Sequence, residues 1–478
     1  MSNSLDRRRF LQNSGLGFGS VAASWMMARD ARAAEDARAA AKPPHMPATA
    51  KSIISLFMHG GPSHIDTFDP KPALEKLEGQ RVPDSFGDVR LQFSTFKEQP
   101  ILASRRKFQR HGQSGVVISD LFPHMAQHAD DIAVLRGMNH DGFTHTAALN
   151  WLNNGWPRLG RPSVGSWITY GLGAETENLP AFVVMLEGGI KSGPPVYSSG
   201  FLPATYQGTT IRKGSSPILY AQRPEGAGEA AQRDMLDELR WFNEQHRQTR
   251  REDTELAARI ASYELAFKMQ MAVPELSDLA GESAATRAMY GMDDERTSDF
   301  GSRCLMARRL VERGVRFVQV WSGTTTGEGD WDGHKGCEKN HERQAAKTDK
   351  AVGALLKDLK ARGLLDSTLV VWGGEFGRTP TSDGNANGAG DNFGRDHNPY
   401  GFSIWMAGGG VRGGKTIGAT DEIGLRAIQD PVHVHDFHAT LLAMLGLDHT
   451  KLTYTFQGRD YRLTDVHGKT DLLAKLRA

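Results

Sequence analysis

The chain has 478 residues, with 57 Lys plus Arg against 56 Asp plus Glu and a formal net charge of +1. A balance this even, with both signs interspersed, argues against nucleic-acid binding, which needs a basic face. Only two cysteines, Cys304 and Cys337, are present, so a cysteine metal cluster is excluded and at most one disulfide could form after export.

The N-terminus reads "DRRRFLQNSGLGFGSVAASWMMARDARAA". Paired arginines (Arg7, Arg8) precede Phe10 and Leu11, then a weakly apolar Gly/Ala/Ser stretch ends at Ala31-Arg32-Ala33. Basic start, apolar middle and small-x-small site are the order of a secretory signal, and Arg-Arg-x-Phe-Leu is that of a twin-arginine signal. Residues 1–33 are therefore expected to be the leader, 34–50 an Ala/Pro-rich tether, and 51–478 the working domain. The twin-arginine export machinery would be a partner and the periplasm or the exterior the destination. No later run reaches the roughly 18 apolar residues that a membrane span needs.

Along the working domain, 51–58 reads as an apolar strand ending on His59 and a Gly pair. Asp69, before Pro70, reads as a turn residue. Residues 131–140 and 181–189 repeat the plan of an apolar run closed by polar or glycine punctuation. From about 190 to 300 the texture changes. A Gly/Ser/Pro-rich loop (190–227) precedes two charged helical runs (229–248 and 252–271), which suggests an insertion on the main sheet. Cys304 shares a helical face with Ala307 and Val311, a core-packing position. Residues 316–321 read as a strand, and 342–363 as a helix with Val352, Leu355, Leu356 and Leu359 on one face and Gly363 as its stop. Residues 367–372 and 402–410 read as strands, and 436–449 as a closing helix with Asp436 as N-cap. Alternating strands and helices predict an α/β fold with a mostly parallel central sheet.

Ligands of such sheets bind beyond the carboxyl ends of the strands. His59, His64 and Asp66 follow the first strand; His140, Asp141, Thr144, His145 and Thr146 follow the second. Asp330, Asp332 and His334 follow the 316–321 strand and Glu375 follows the 367–372 strand, while Asp396 and His397 precede the 402–410 strand. Imidazoles with carboxylates and no thiolate are the ligand chemistry of zinc, iron or manganese. Glu375 is the sharpest case. A strand leads through Gly373-Gly374 into a carboxylate that is costly to bury unpaired, so either Arg378 or a metal must meet it. His435 and His438 lie beside Leu441, Leu442 and Leu445 and read as core histidines.

The stretches "HGGPSHIDTFDPKP", "DWDGH", "LLDSTLVVWGGEFGRTP", "GRDHNPYGFSIWMAGGG" and "VHDFHATLLAMLGLDH" resemble the exported bacterial family called domain of unknown function 1501, over nearly the whole working domain. That family is placed in the alkaline phosphatase-like superfamily. The resemblance implies a three-layer sandwich, one or two divalent metals, and hydrolysis of a sulfate or phosphate ester on a small molecule or polysaccharide. It implies one metal on Asp332 or Asp330 with His334 and His397, and another on Glu375, His59 or Asp66, and His145. Arg378 would grip a tetrahedral anion, and Asp396 would orient His397. Neither cysteine lies in a formylglycine motif. Thr144 and Thr146 are the nucleophile candidates, with metal-activated water as the alternative and a non-catalytic binding protein as the rival class.

Overall fold

The computed structural model describes residues 42–91, 96–212, 278–325, 329–383 and 393–478, with a few isolated positions between 213 and 277. The leader at 1–33, and most of the two helical runs at 229–248 and 252–271, lie outside the described residues.

Nine strands form one sheet among the described residues: β1 (Ser52–Met58), β2 (Ile132–Asn139), β3 (Phe182–Met185), β4 (Thr209–Ile211), β5 (Phe317–Ser322), β6 (Thr368–Gly373), β7 (Phe402–Ala407), β8 (Lys415–Ile417) and β9 (Val432–His433). Their order is β8-β2-β7-β6-β1-β5-β3-β4, with β9 also pairing β2. All pairings are parallel except those of β7, which runs antiparallel to both β2 and β6. β1 is the hub, matching Ile53 to Phe317 on one side and to Leu369 on the other.

The helices that matter here are α1 (His145–Asn154), α2 (Val164–Leu172), α3 (Glu295–Glu312), α4 (Cys337–Ala361) and α5 (Val434–Met444). Side chains of β1 alternate between two cores. Ile54, Leu56 and Met58 join Leu305 and Leu310 of α3 and Val352, Leu355, Leu356 and Leu359 of α4. Ile53 and Phe57 join Trp167 and Ile168 of α2 and Leu441 and Leu442 of α5. A sheet covered on both faces needs strands that are apolar throughout, hence the unbroken runs in the sequence. The architecture is a three-layer α/β sandwich, as the strand–helix alternation predicts.

Three local expectations are corrected. The cap of α5 is the His433 side chain, which accepts from the His435 N–H, while Asp436 accepts from the Lys469 N–H at 2.7 Å. Asp69 lies outside any turn, buried, and pairs with Lys71 at 3.1 Å. Cys304 and Cys337 are both buried and unbonded, so no disulfide forms; burial raises the Cys304 thiol pKa to about 12. His435 and His438 are core histidines as expected, donating through Nε2 to the Gly155 and Leu152 carbonyls at 2.9 and 2.8 Å.

Candidate metal centre

The parallel strands deliver their following loops to one edge: His59 after β1, His145 after β2, Lys191 after β3, Asp330, Asp332 and His334 after β5, and Glu375 after β6. Because β7 runs backwards, the residues that enter it arrive at this edge too. They include the antiparallel ribbon Gly377–Ser382 and Arg395–Asn398, which carries Arg378 and His397.

One donor atom from each of His145, Asp332, His334 and His397 can be chosen so that all four lie within 4.8 Å of one another. The histidines share a pattern. Nδ1 of His145 meets Glu375 Oε1 at 2.7 Å, Nδ1 of His334 meets Asp383 Oδ2 at 2.6 Å, and Nδ1 of His397 donates to the Phe143 carbonyl at 2.9 Å. Each Nε2 is thereby turned inward. His145 Nε2 lies 3.0 Å from Asp332 Oδ2, His334 Nε2 lies 3.2 Å from Asp332 Oδ1, and the Nε2 atoms of His334 and His397 face each other at 2.9 Å. With their Nδ1 protons directed outward, three lone pairs and a carboxylate converge on one point. Such a group repels itself unless protons or a cation stand between its members. Imidazoles anchored through Nδ1 by carboxylate or carbonyl are the usual supports of metal ligands. The donor set fits a transition-metal ion.

Neighbouring charges act on the group as well. The Lys191 ammonium faces Asp332 Oδ2 at 2.6 Å, Asp330 Oδ2 at 3.0 Å and His145 Nε2 at 3.0 Å. Burial raises the Asp332 carboxyl pKa, but the Arg378 guanidinium and hydrogen bonds from His145 and His397 outweigh it and hold it well below the usual carboxylate range. Burial lowers the His145 pKa, and its hydrogen bonds to Asp332 and Glu375 more than reverse this. Burial, aided by the neighbouring His145, Arg378 and His334, carries His397 well below its ordinary value against its hydrogen bond to Asp332.

Glycines bring the loops this close. Gly60, at φ +108°, would place a Cβ 2.5 Å from the Asp332 nitrogen. A Cβ on Gly374 would lie 2.5 Å from Pro62 Cδ and 2.6 Å from the Met58 carbonyl oxygen.

The family described as "Protein of unknown function (DUF1501)" matches residues 50–473. The chain belongs to this family. Comparison with curated proteins finds no match. Among solved structures, the DUF1501 chain is similar to the PsFucS1 sulfatase from Pseudoalteromonas sp., with TM-score 0.40, 12% identity, and 96% of this chain and 75% of that one covered. It is similar to the lipoteichoic acid synthase LtaP from Listeria monocytogenes, with TM-score 0.33, 9% identity and coverages of 92% and 81%. The alkaline phosphatase from the Antarctic bacterium TAB5 gives TM-score 0.32, 12% identity and coverages of 76% and 92%. Scores of this size do not establish a shared fold, and the α/β assignment rests on the strand order and directions above.

Of the residues singled out from sequence, His145, Asp332, His334 and His397 meet. Glu375 neither pairs with Arg378 nor enters the group. It is fully buried, and both its oxygens accept from Gly60 N at 3.0 and 3.1 Å, with His145 on Oε1. Burial raises its pKa, but His145 outweighs this and lowers it. Arg378 is unable to grip a substrate anion. It is fully buried and donates to the Gly60, Gly61 and Arg395 carbonyls and, at 2.7 Å, to Asp332 Oδ1. Asp66 is held elsewhere, by Arg395 at 2.9 Å and the Ser63 hydroxyl at 2.5 Å.

His59 and Asp330 border the group, 4.0 Å from each other, and His59 Nε2 accepts from the Lys191 N–H at 3.3 Å. Asp396 accepts from the His397 backbone N–H at 2.7 Å, so it does not orient that imidazole. Thr144 is the half-buried N-cap of α1 and Thr146 is exposed; no hydrogen bond from either hydroxyl to the group is present among the described residues. Lys191 and Asp383 escaped the sequence reading: one is a lone lysine in a Gly/Ser/Pro-rich loop, the other a lone aspartate before a glycine. His140 supports Glu375 from behind, accepting from Gly142 N on Nδ1 and donating through Nε2 to the Glu375 carbonyl at 2.6 Å. Among the described residues no helix is long and apolar enough to cross a membrane.

Proposed function

We propose that the chain is an exported, metal-dependent hydrolase of sulfate or phosphate esters, with its metal held by His145, Asp332, His334 and His397. The observation that carries this reading is the convergence of three Nε2 atoms on Asp332, each imidazole anchored outward through Nδ1. Zinc, manganese and iron suit such donors. When bound, the cation would supply Lewis acidity toward an ester oxygen. The chain's own residues do the rest. Glu375, Asp383 and the Phe143 carbonyl fix the imidazole orientations, and Arg378 fixes Asp332. Lys191, whose side chain is 23% exposed, is the ammonium that an ester anion can reach. Thr144 and Thr146 flank His145 as nucleophile candidates, with water as the alternative. The twin-arginine motif at Arg7 and Arg8 supports delivery across the membrane to a small-molecule or polysaccharide ester.

The test is elemental analysis of the full chain purified without chelator, together with turnover of 4-nitrophenyl sulfate and 4-nitrophenyl phosphate. Bound transition metal and ester turnover, both lost in Asp332→Asn, are expected. A metal-free protein, or turnover indifferent to that substitution, overturns the reading. A second reading, a non-catalytic binding protein, is favoured by the full commitment of Arg378 to internal partners, and predicts metal without turnover.

A further inference from the structure

We propose that Arg90 receives a second anionic group of the substrate, so that the site selects esters carrying a further sulfate, phosphate or carboxylate. The inference rests on the reading above in placing the ester itself at the imidazole group. Arg90 lies on an anchored loop. Val89 and Leu91 pack with Ile65, Ile423 and Leu425 in a small core, while Arg90 between them is exposed. The Tyr400 hydroxyl donates to the Arg90 carbonyl at 3.1 Å, and the Arg426 guanidinium donates to the Phe86 and Asp88 carbonyls at 2.6 and 2.5 Å. The Arg90 guanidinium carbon lies over the Phe143 ring, 4.5 Å from its centroid. Both supports adjoin the imidazole group. The Phe143 carbonyl anchors His397 Nδ1 at 2.9 Å, Phe143 stands two residues before His145, and Tyr400 stands three beyond His397. Two residues of chain span at most about 7 Å, so the guanidinium stands beside the group without entering it.

The charge of Arg90 is spare. Among the described residues no carboxylate forms an ion pair with it. Asp88, the acid of its own loop, turns Oδ1 to the Val89 N–H at 2.9 Å. Asp141, two residues before Phe143, is exposed and makes no ion pair with Arg90. Lys191 differs. It follows β3, on the far side of β1 from β2, and is balanced by Asp332 and Asp330 at 2.6 and 3.0 Å. The two cations thus flank the group, and Arg90 has no carboxylate of its own. Held over a ring, a guanidinium is oriented before a ligand arrives and keeps its N–H donors for an oxyanion. A substrate bound through one anion at the group, with a second on this flank, meets a fixed fork of donors. A singly charged ester has nothing to offer it.

The experiment uses the zinc-loaded full chain and two ligands that resist hydrolysis, naphthalene-2-sulfonate and naphthalene-2,6-disulfonate, titrated by calorimetry. The wild type is expected to prefer the disulfonate. Arg90→Gln is expected to cut that preference about three- to tenfold, between the effect of an exposed ion pair and that of a charge-assisted hydrogen bond. Arg90→Lys keeps the charge without the fork and should fall between the two. Arg477→Gln removes a guanidinium beside Thr49, ahead of β1 at the opposite edge of the sheet, and is expected to keep the wild-type preference. Raising salt from about 0.01 to about 1 M shortens the screening length from about 30 to about 3 Å, which should erase the preference of the wild type and hardly move that of Arg90→Gln. The proposal is overturned if the wild type does not prefer the disulfonate, or if Arg90→Gln and Arg477→Gln behave alike. Disulfonate binding as tight in Asp332→Asn as in the wild type would also overturn it, by placing the ligand away from the imidazole group. Because neither ligand is turned over, a chain without ester hydrolysis loses the hydrolase reading and still answers this test. A chain that hydrolyses 4-nitrophenyl esters without preferring the disulfonate loses only the role of Arg90.

Discussion

Glu375→Gln separates a carboxylate that holds a ligand from one that is a ligand. The side chain is fully buried, 2.7 Å from His145 Nδ1 and 3.0 to 3.1 Å from Gly60 N. Glutamine keeps the shape and one acceptor oxygen. It removes the charge and turns an amide NH2 toward one of two donors. A hydrogen bond to a charged group contributes about 1.5–3 kcal/mol against about 1 kcal/mol for a neutral pair. The anchor of His145 therefore weakens by about 1–2 kcal/mol, and metal affinity falls roughly 5- to 30-fold at 1.4 kcal/mol per decade. Loss of an orienting partner typically costs about 10–100-fold. The assay is competition against a chromophoric chelator at fixed pH, with circular dichroism to confirm the fold. Asp332→Asn, which removes a donor within the group, sets the scale and is expected to exceed about 100-fold, beyond the range of orienting partners. If Glu375→Gln is as severe as Asp332→Asn, Glu375 ligates directly. If it changes nothing, the Nδ1 anchors have no bearing on metal binding and the reasoning fails.

Asp66→Ala strands the buried Arg395 guanidinium and should cost about 3–5 kcal/mol in urea unfolding with zinc affinity unchanged; a fall in affinity comparable to that of Asp332→Asn would return Asp66 to the metal site. Burial lifts the Asp349 carboxyl to about 6 from 3.8, against the backbone N–H groups of His124 and Met125. Its folded pKa lies above its unfolded one, so its contribution to stability is complete below about pH 4 and is lost as pH rises through about 6, a swing on the order of 3 kcal/mol. The unfolding free energy of Asp349→Asn relative to wild type should thus rise from pH 4 to pH 7, and a pH-independent difference would refute the assignment. Both thiols are buried and free, so a thiol-reactive chromophore should titrate none in the native protein and both in denaturant; a chain with no titratable thiol in denaturant would contain the disulfide that the structure lacks.

The strands were legible because a sheet covered on both faces demands continuous apolar runs, and 51–58, 131–140, 316–321, 367–373 and 402–407 all supply one. His145, Asp332, His334 and His397 were legible as polar punctuation at strand ends. Partnership was not. Whether Arg378 is free depends on the carbonyls of Gly60, Gly61 and Arg395, most of them distant in sequence, and a motif cannot show that its donors are already spent. Glu375 looked like a ligand for the same reason: its partners, Gly60 N and His145, come from other loops. The direction of β7 was equally hidden, since an apolar run reads the same either way. Yet that direction is what brings His397 to the others.

The hub position of β1 has a consequence for synthesis. Ile53 emerges early from the ribosome, but its two neighbours, Phe317 and Leu369, come hundreds of residues later. The central pairings close very long loops, whose entropy must be met before any contact rewards it. A nascent or truncated chain ending before β6 leaves β1 with an open flank and lacks Glu375, Arg378, Asp383 and His397. Assembly of the metal group is thus a late event that reports completion of the sheet. A cell that loads metal onto this group would be sampling only chains that had finished folding.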